Sequence, residues 1–359
     1  MLLAAGCGSD DGGGDTGTAA STSGEGGGGG GKIALLLPET KTTRYEEQDR
    51  PNFERKVGEL CPDCEVIYSN ADGDASRQQQ QAEAAITEGA KVIVISAVDV
   101  ASAGAIVQRA EQADVQVIAY GRLIPDAPID FYVSIDPFKV GQQQAEVQLD
   151  AMEKAGVSSP RVVMINGAPT DSNSKPYKDG ALQTYEERGA KVVESYDTPD
   201  WSPDKAQQEM EQALTALGKD GFDGVYSAND GMAGGAIAAL KGGGLNPADR
   251  FVTGQDAELA AIQRILAGEQ LMTVYQPLIQ LSETAAELAV PIAQGTEPPA
   301  DVAPETVDNG AGDIKSALLD TIAITKDNIE DTVVKDGFLD VQDICSGPYA
   351  KACAEAGLQ

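Results

Sequence analysis

The chain has no histidine and only one tryptophan. It therefore lacks the side chain that most often moves protons near neutral pH and most often ligates transition metals. Ser-His-Asp and Cys-His catalysis are impossible within it. Basic residues are also scarce: 26 Lys and Arg stand against 57 Asp and Glu, for a formal net charge of −31. Such a field repels phosphate backbones and anionic lipid, which argues against nucleic acid as a partner. No stretch approaches the roughly 18–20 continuous apolar residues of a membrane-spanning helix. What remains is ordinary for a globular protein, 42% apolar and 23% charged in 359 residues, with length for about two domains.

The five cysteines fall into two pairs and one left over. Cys61 and Cys64 form a C-P-D-C pair, Cys345 and Cys353 flank a short C-terminal segment, and Cys7 stands alone. Two short-range disulfides in an oxidising compartment fit this spacing. A thioredoxin-like redox site is the sharper reading of CPDC, but there the pair opens a helix after a strand. Here the pair closes a helical stretch and precedes the strand-like CEVIYSN. A four-cysteine zinc site would have to join pairs at opposite ends of the chain. Neither a metal nor a cofactor is expected.

Residues 8–31, half of them glycine, contain nothing larger than Glu, Asp or Thr. Such a segment cannot bury enough apolar surface to offset its ordering entropy. A flexible tether is expected, with a mean span of about 25–30 Å. Gly26 to Lys32 matches the G-x-x-x-x-G-K part of a phosphate loop, but Ile33 replaces the required Ser/Thr. The glycines also precede a strand instead of following one, so the linker reading is preferred.

From Lys32 the pattern changes. KIALLLP, CEVIYSNA, KVIVISAV, VQVIAYG and FYVSID are runs of strand length, separated by helical segments such as ASRQQQQAEAAITEGA and ASAGAIVQRAEQA. KVGQQQAEVQLDAMEKAG then leads to a second series, RVVMINGAP, AKVVESYD, GVYSAND, FVTGQDA and LMTVYQP. A further helix, LIQLSETAAELAVPIAQG, is followed by a loop and ALLDTIAITKDNI. Alternating strands and helices imply parallel βαβ units. Two such series predict an α/β protein of two doubly wound lobes.

In open α/β sheets, ligands bind outside the carboxyl ends of the strands. Those ends carry Lys41, Arg44 and Tyr45, then Arg122, then Asp171 and Asn173, then Trp201, Asn229 with Asp230, Asp256 and Gln276. Carboxylates and amides take hydroxyl donors, arginine takes oxygen acceptors, and aromatic faces cover C–H surfaces. The inventory suits a neutral polyhydroxylated ligand. No glycine-rich phosphate cradle follows any strand. Each residue also has a plainer reading: Trp201 as core, Asn229, Asp230 and Asp256 as helix caps, Asp171 as a turn former, Arg122 as an exposed loop residue.

Read together, AYGRLIPDAPIDFYVSID, SANDGMAGGAIAAL, GQDAELAAIQRILAGEQLMTVYQP and DTVVKDGF resemble the D-xylose-binding proteins of bacterial ABC importers, within the type I periplasmic sugar-binding family. The likeness runs from about Lys32 to Phe338. It implies two Rossmann-like lobes joined by three crossovers and closing on one sugar. One lobe would hold residues 32–136 plus about 278–318, the other 137–277 plus about 319–359. The family's binding positions fall on Arg44 and Tyr45 (usually Arg-Trp), Arg122, Asp171, Asn173, Trp201, Asn229 and Asp256. Two departures stand out: Gly121 replaces the family's Asp before Arg122, and Gln276 replaces its Lys. One negative and one positive group are lost together, which keeps the charge balance but changes the hydrogen-bond pattern. An unpaired buried group costs about 1–3 kcal/mol, so such swaps can redirect sugar choice. The loop before Arg50 is also one residue longer. D-xylose, another pentose, a larger sugar or a polyol would be the ligand.

The resemblance implies a non-catalytic, monomeric carrier that docks on the membrane subunits of an ABC permease. It also gives Leu3-Ala4-Ala5-Gly6-Cys7 a meaning, since this stretch resembles a lipobox in which Cys7 is lipidated and becomes the mature N-terminus. Residues 1–7 would be the remnant of a signal peptide whose cationic n-region is missing, with Met1 inside the true signal. The implied location is extracytoplasmic, at the cell surface or in the periplasm, tethered to the membrane through Cys7. A transcriptional regulator on the same fold would need a helix-turn-helix where residues 8–31 stand. An enzyme would need a nucleophile–base pair or a metal cluster that the strand ends do not offer. A sugar sensor feeding a membrane receptor could use the same lobes.

Overall fold

Residues 30–358 are described by a computed structural model; Cys7 and tether residues 8–29 lie outside the described residues. The tether's end is already part of the fold, because the Gly31 carbonyl accepts from the Glu65 N–H at 3.0 Å. β1 (Lys32–Leu37) pairs in parallel with β2 (Glu65–Asn70) on one side and β3 (Ala90–Ile95) on the other. β4 (Gln116–Tyr120) and β5 (Phe131–Ile135) extend the sheet in parallel. Between them run α1 (Arg50–Leu60), α2 (Ala75–Thr87) and α3 (Val100–Glu111). Asp74 and Asp99 start the last two, Asp74 accepting from two backbone N–H groups of the first turn and Asp99 from one.

The chain then leaves for a second sheet. α4 (Pro137–Lys154) is capped by Asp136, with Pro137 in its first turn. β6 (Arg161–Asn166) is central there, parallel to β7 (Lys191–Asp197) and β8 (Gly224–Ser227). α5 (Ser174–Glu187), α6 (Pro203–Leu217), α7 (Asp230–Gly242) and α8 (Leu259–Leu266) accompany these strands. β9 (Thr273–Tyr275) hands the chain back through α9 (Leu278–Ala293), which packs on the first sheet. β10 (Glu305–Asp308) and β11 (Asp313–Leu319) form an antiparallel edge there, with β11 parallel to β5. A third crossing reaches β12 (Ile322–Ile324), antiparallel to β9, and short α10 (Val341–Ile344) and α11 (Ala350–Ala356) follow.

Alternate residues of β1 feed two cores. Ile33, Leu35 and Leu37 join Phe53 and Val57 of α1 and the inner face of α9, while Ala34 and Leu36 join Ala82 of α2 and Ala103 of α3. The sheet is thus covered on both faces, which explains its nearly continuous apolar strands.

Two features depart from the regular pattern. FVTGQDA, expected as a strand, makes only one bridge, Gln255 with Val274. Asp256 (φ 98°) and Ala257 (φ 52°) lie in the left-handed region, so the backbone turns out of the sheet there. Tyr45–Asp49 form a π-helical turn running into α1, closed by the Arg50 N–H on the Tyr45 carbonyl. A helix takes in one extra residue in this way. Cys61 is bonded to Cys64 between α1 and β2, and Cys345 to Cys353 between α10 and α11.

Candidate ligand-binding site

The carboxyl ends of both sheets face one cleft, with about 430 Å³ of empty space counting what opens to solvent. Its lining includes Arg44, Tyr45, Arg122, Asp171, Asn173, Trp201, Asn229, Asp256 and Gln276. None of these nine is more than 9% exposed, so the polar groups are enclosed and must be satisfied inside.

After β1, the Glu39 carboxylate accepts from the Thr42 N–H at 3.1 Å and curls the segment so that Arg44 and Tyr45 turn inward. The Arg44 guanidinium lies 5.3 Å from the Tyr45 ring centroid. After β4, Gly121 adopts φ 73°, a conformation glycine takes at little cost, and a Cβ there would meet only the Ser96 hydroxyl, at 3.8 Å. Arg122 then donates from Nη1 to the Ala97 carbonyl at 2.6 Å. Its Nε lies 2.6 Å from Asp171 of the opposite sheet. Asp171 also accepts from the Asn173 N–H (2.8 Å), so it is both turn former and ion-pair partner. Asn173 donates back across the cleft to the Gly121 carbonyl at 2.7 Å.

Trp201 is set by a turn in which it and Asp200 both have positive φ, 54° and 60°. Its indole lies against the backbone after β6: a Cβ on Gly167 would fall 2.2 Å from the ring. Tyr177 meets it edge-on, centroids 6.4 Å apart at 77°. Asn229 has both roles foreseen for it, since its Oδ1 caps α7 through the Met232 N–H (3.0 Å) while the side chain lines the cleft. Asp230 does not reach the cleft; it is fully buried, accepting from Gln270 (2.7 Å), Thr273 (2.8 Å) and the Glu258 N–H (3.1 Å). Asp256 caps nothing. It accepts from Gln276 Nε2 at 2.8 Å, and Gln276 Oε1 accepts from Arg44 Nη1 at 3.1 Å. Burial pushes the Asp256 carboxyl up, and the Arg44 charge opposes that. For Arg44 itself, burial works against the charge, but Asp49 more than offsets it and the pKa is raised.

Lys41 is the one proposed contact that the fold does not bring to the cleft. Its side chain is exposed and its ammonium lies 3.9 Å from Asp200 at the rim. Conversely Thr42, Tyr177 and Gln255 line the cleft without having been singled out. Gln255 was in view as the middle of GQD, beside Asp256. Tyr177 lies on α5, two residues beyond the NGAPTDSNSK segment, and carries no motif of its own. Arg122 Nε meets Asp171 as an ion pair without a hydrogen bond, and two further polar atoms of the lining, Trp201 Nε1 and Gln255 Oε1, are buried with no protein partner. Two arginines face two aspartates, so the enclosure is formally neutral, and both its unpaired atoms suit hydroxyl groups. No group of His, Cys, Asp and Glu among the described residues could hold a metal ion.

The model of the periplasmic binding protein domain matches residues 33–297. The chain belongs to this family. Among periplasmic binding proteins, the D-xylose-binding periplasmic protein of Escherichia coli K12 is 39% identical over 311 residues, 86% of this chain and 90% of that one. The multiple sugar-binding periplasmic receptor ChvE of Rhizobium radiobacter is 34% identical over 283 residues, 74% and 80% of the two chains. A solved ABC transporter solute-binding protein from Clostridium phytofermentans, with bound β-D-glucose, superposes with TM-score 0.77 at 25% identity, covering 87% of this chain and 99% of the other. The type I periplasmic-binding fold, two doubly wound α/β lobes, is therefore the fold of this chain.

Proposed function

We propose that this chain is the extracytoplasmic solute-binding component of an ABC importer. It would hold one neutral monosaccharide, D-xylose or a related sugar or polyol, in the cleft and release it to the permease. The observation that carries the reading is the lining: a buried indole face beside a neutral set of two arginines, two aspartates and four amides from both sheets. In this reading Trp201 covers the C–H face of the ring, Arg44 and Arg122 donate to its oxygens, and Asp171 and Asp256 accept its hydroxyls. Asn173, Asn229, Gln276 and Gln255 complete the hydrogen bonding. The contacts Arg122–Asp171 and Asn173–Gly121 join the two sheets across the cleft, as a hinge closed on its ligand requires. Lys41 has no place among the sugar contacts.

Titration calorimetry against pentoses, hexoses and polyols tests this. Tight binding of at least one sugar is expected. Absence of binding to all of them, with turnover of a substrate, overturns the carrier reading. A sensor feeding a membrane receptor is the second reading, favoured by the receptor named among the relatives; crosslinking in cells to a permease or to a receptor separates the two. The lipobox-like Leu3–Cys7 stretch supports anchoring through a lipidated Cys7. Mass spectrometry of the native protein decides it, since an unmodified Cys7 preceded by its upstream residues excludes the anchor. The carrier is expected to act as a monomer without cofactor, metal or nucleic acid.

A further inference from the structure

Asp49 lies behind the cleft, 1% exposed, and does not line it. Its two carboxylate oxygens take the Arg44 guanidinium in a fork, Nε on Oδ2 at 2.8 Å and Nη2 on Oδ1 at 2.9 Å. The Tyr120 hydroxyl donates to the same Oδ1 and lies 3.0 Å from the Ser282 hydroxyl. Ser282 in turn donates to the Leu278 carbonyl in the first turn of α9, at 2.8 Å. A bonded chain thus runs from a cleft arginine to the start of the helix that follows the second crossover. The other edge of the same guanidinium meets Gln276, on that crossover.

Arg44 and Asp49 are five residues apart. In an α-helix that spacing turns two side chains away from each other, whereas three or four residues apart they are neighbours. The π-helical turn closes its bonds between residues five apart and so restores the pairing. A planar guanidinium gripped at two donors cannot rotate, so its remaining N–H groups have a fixed direction. We infer that Asp49 is a positioning residue for ligand binding: it fixes the plane of Arg44 toward the cleft and ties it to the crossover through Tyr120 and Ser282. The inference rests on the sugar-binding reading above, with Arg44 as a contact.

The test is calorimetry on the full chain with whichever sugar the wild type binds, alongside thermal melts. Asp49→Asn keeps the shape and removes one arm of the fork; a loss of affinity of about tenfold or more is expected, in the range of truncated charged contacts. Arg44→Met should weaken binding at least as much, and adding Asp49→Asn to it should cost no further affinity. A merely structural Asp49 would lower the melting temperature and leave the dissociation constant unchanged in both backgrounds; that result, or an additive loss in the double variant, overturns the inference. If Asp49→Asn does not fold, Tyr120→Phe decides, because it removes only the second support of the carboxylate. A several-fold weaker dissociation constant is then expected, and wild-type affinity overturns the inference. A wild type that binds no sugar instead removes the functional reading, a different outcome from a wild type that binds and an Asp49→Asn that binds equally well.

Discussion

At the scale of single residues, the cleft was readable wherever a side chain announced its chemistry at a strand end. Arg44, Arg122, Trp201 and Asp256 were legible because charged and aromatic groups rarely sit at such ends without a task. Asn229 was ambiguous for a physical reason, since one amide has an oxygen for the helix cap and a nitrogen for the cleft. Lys41 misled because sequence says only that a lysine follows β1, while its long stem lets the ammonium stay in water beside Asp200. Asp49 was hidden: a spacing of five marks no pair in a regular helix. The residue that matters most to binding should be Trp201. Trp201→Ala is expected to raise the dissociation constant by about 30-fold or more, as for a buried aromatic anchor. The melting transition should remain cooperative, and unchanged affinity removes the indole from the site. Gly167→Ala makes a finer test. Its Cβ would lie 2.2 Å from the indole and 2.5 Å from the Ser174 hydroxyl, so the ring has to move. Binding should weaken while stability falls by about 1–3 kcal/mol, the usual cost of overpacking; calorimetry and thermal melts read the two effects separately.

At the scale of elements, strand and helix order followed from apolar period, and the failures have local causes. FVTGQDA has the composition of a strand, yet Asp256 and Ala257 take positive φ, which no periodicity reveals. β10 escaped notice because Glu305–Asp308 is largely exposed and carries no apolar alternation, while only the end of β11 lies within ALLDTIAITKDNI. The π-helical turn predicts that Glu47, whose side chain is exposed, is the dispensable residue of that segment. Deleting it should convert the turn to α-helical geometry and leave Arg44 and Asp49 four apart, still neighbours. Sugar affinity should then stay within about threefold, a change of under 1 kcal/mol. A large loss would mean that the π geometry itself, and not only the pairing, is needed. The Cys345–Cys353 bridge closes a short loop that packs on α8 at the far C-terminus. Replacing both cysteines by serine should cost about 2–3 kcal/mol by loop-closure entropy. Thermal melts should record that loss, and sugar affinity should not change, because neither residue lines the cleft.

At the scale of the whole molecule, two parallel series foretold two sheets, but not which groups would meet when the carboxyl ends face each other. One such meeting lies beside the cleft. Glu258 precedes α8 and lines a crevice with Thr43, Gln48, Phe338 and Leu339, and its Oε1 has no partner. Burial first, then the charges of Asp230 and Asp256, push its carboxyl up to about 8; Arg264 and the Thr43 backbone oppose this. Burial raises Asp230 as well, but Asp230 accepts three hydrogen bonds, so the pair's proton belongs on Glu258. In the unfolded chain a glutamate titrates near the ordinary value of about 4.3. Between the two values the folded protein therefore holds one proton more than the unfolded chain. Stability is then greatest at the acidic end of that interval and falls as pH rises, by at most about 1.4 kcal/mol per unit, levelling off above about 8. Thermal melts from pH 5 to 9 should show the wild-type midpoint declining across pH 6–8. Glu258→Gln, neutral throughout, should flatten that decline. Parallel profiles for the two proteins would mean that Glu258 titrates as an ordinary surface carboxylate, and that the crevice between Thr43 and Phe338 admits water.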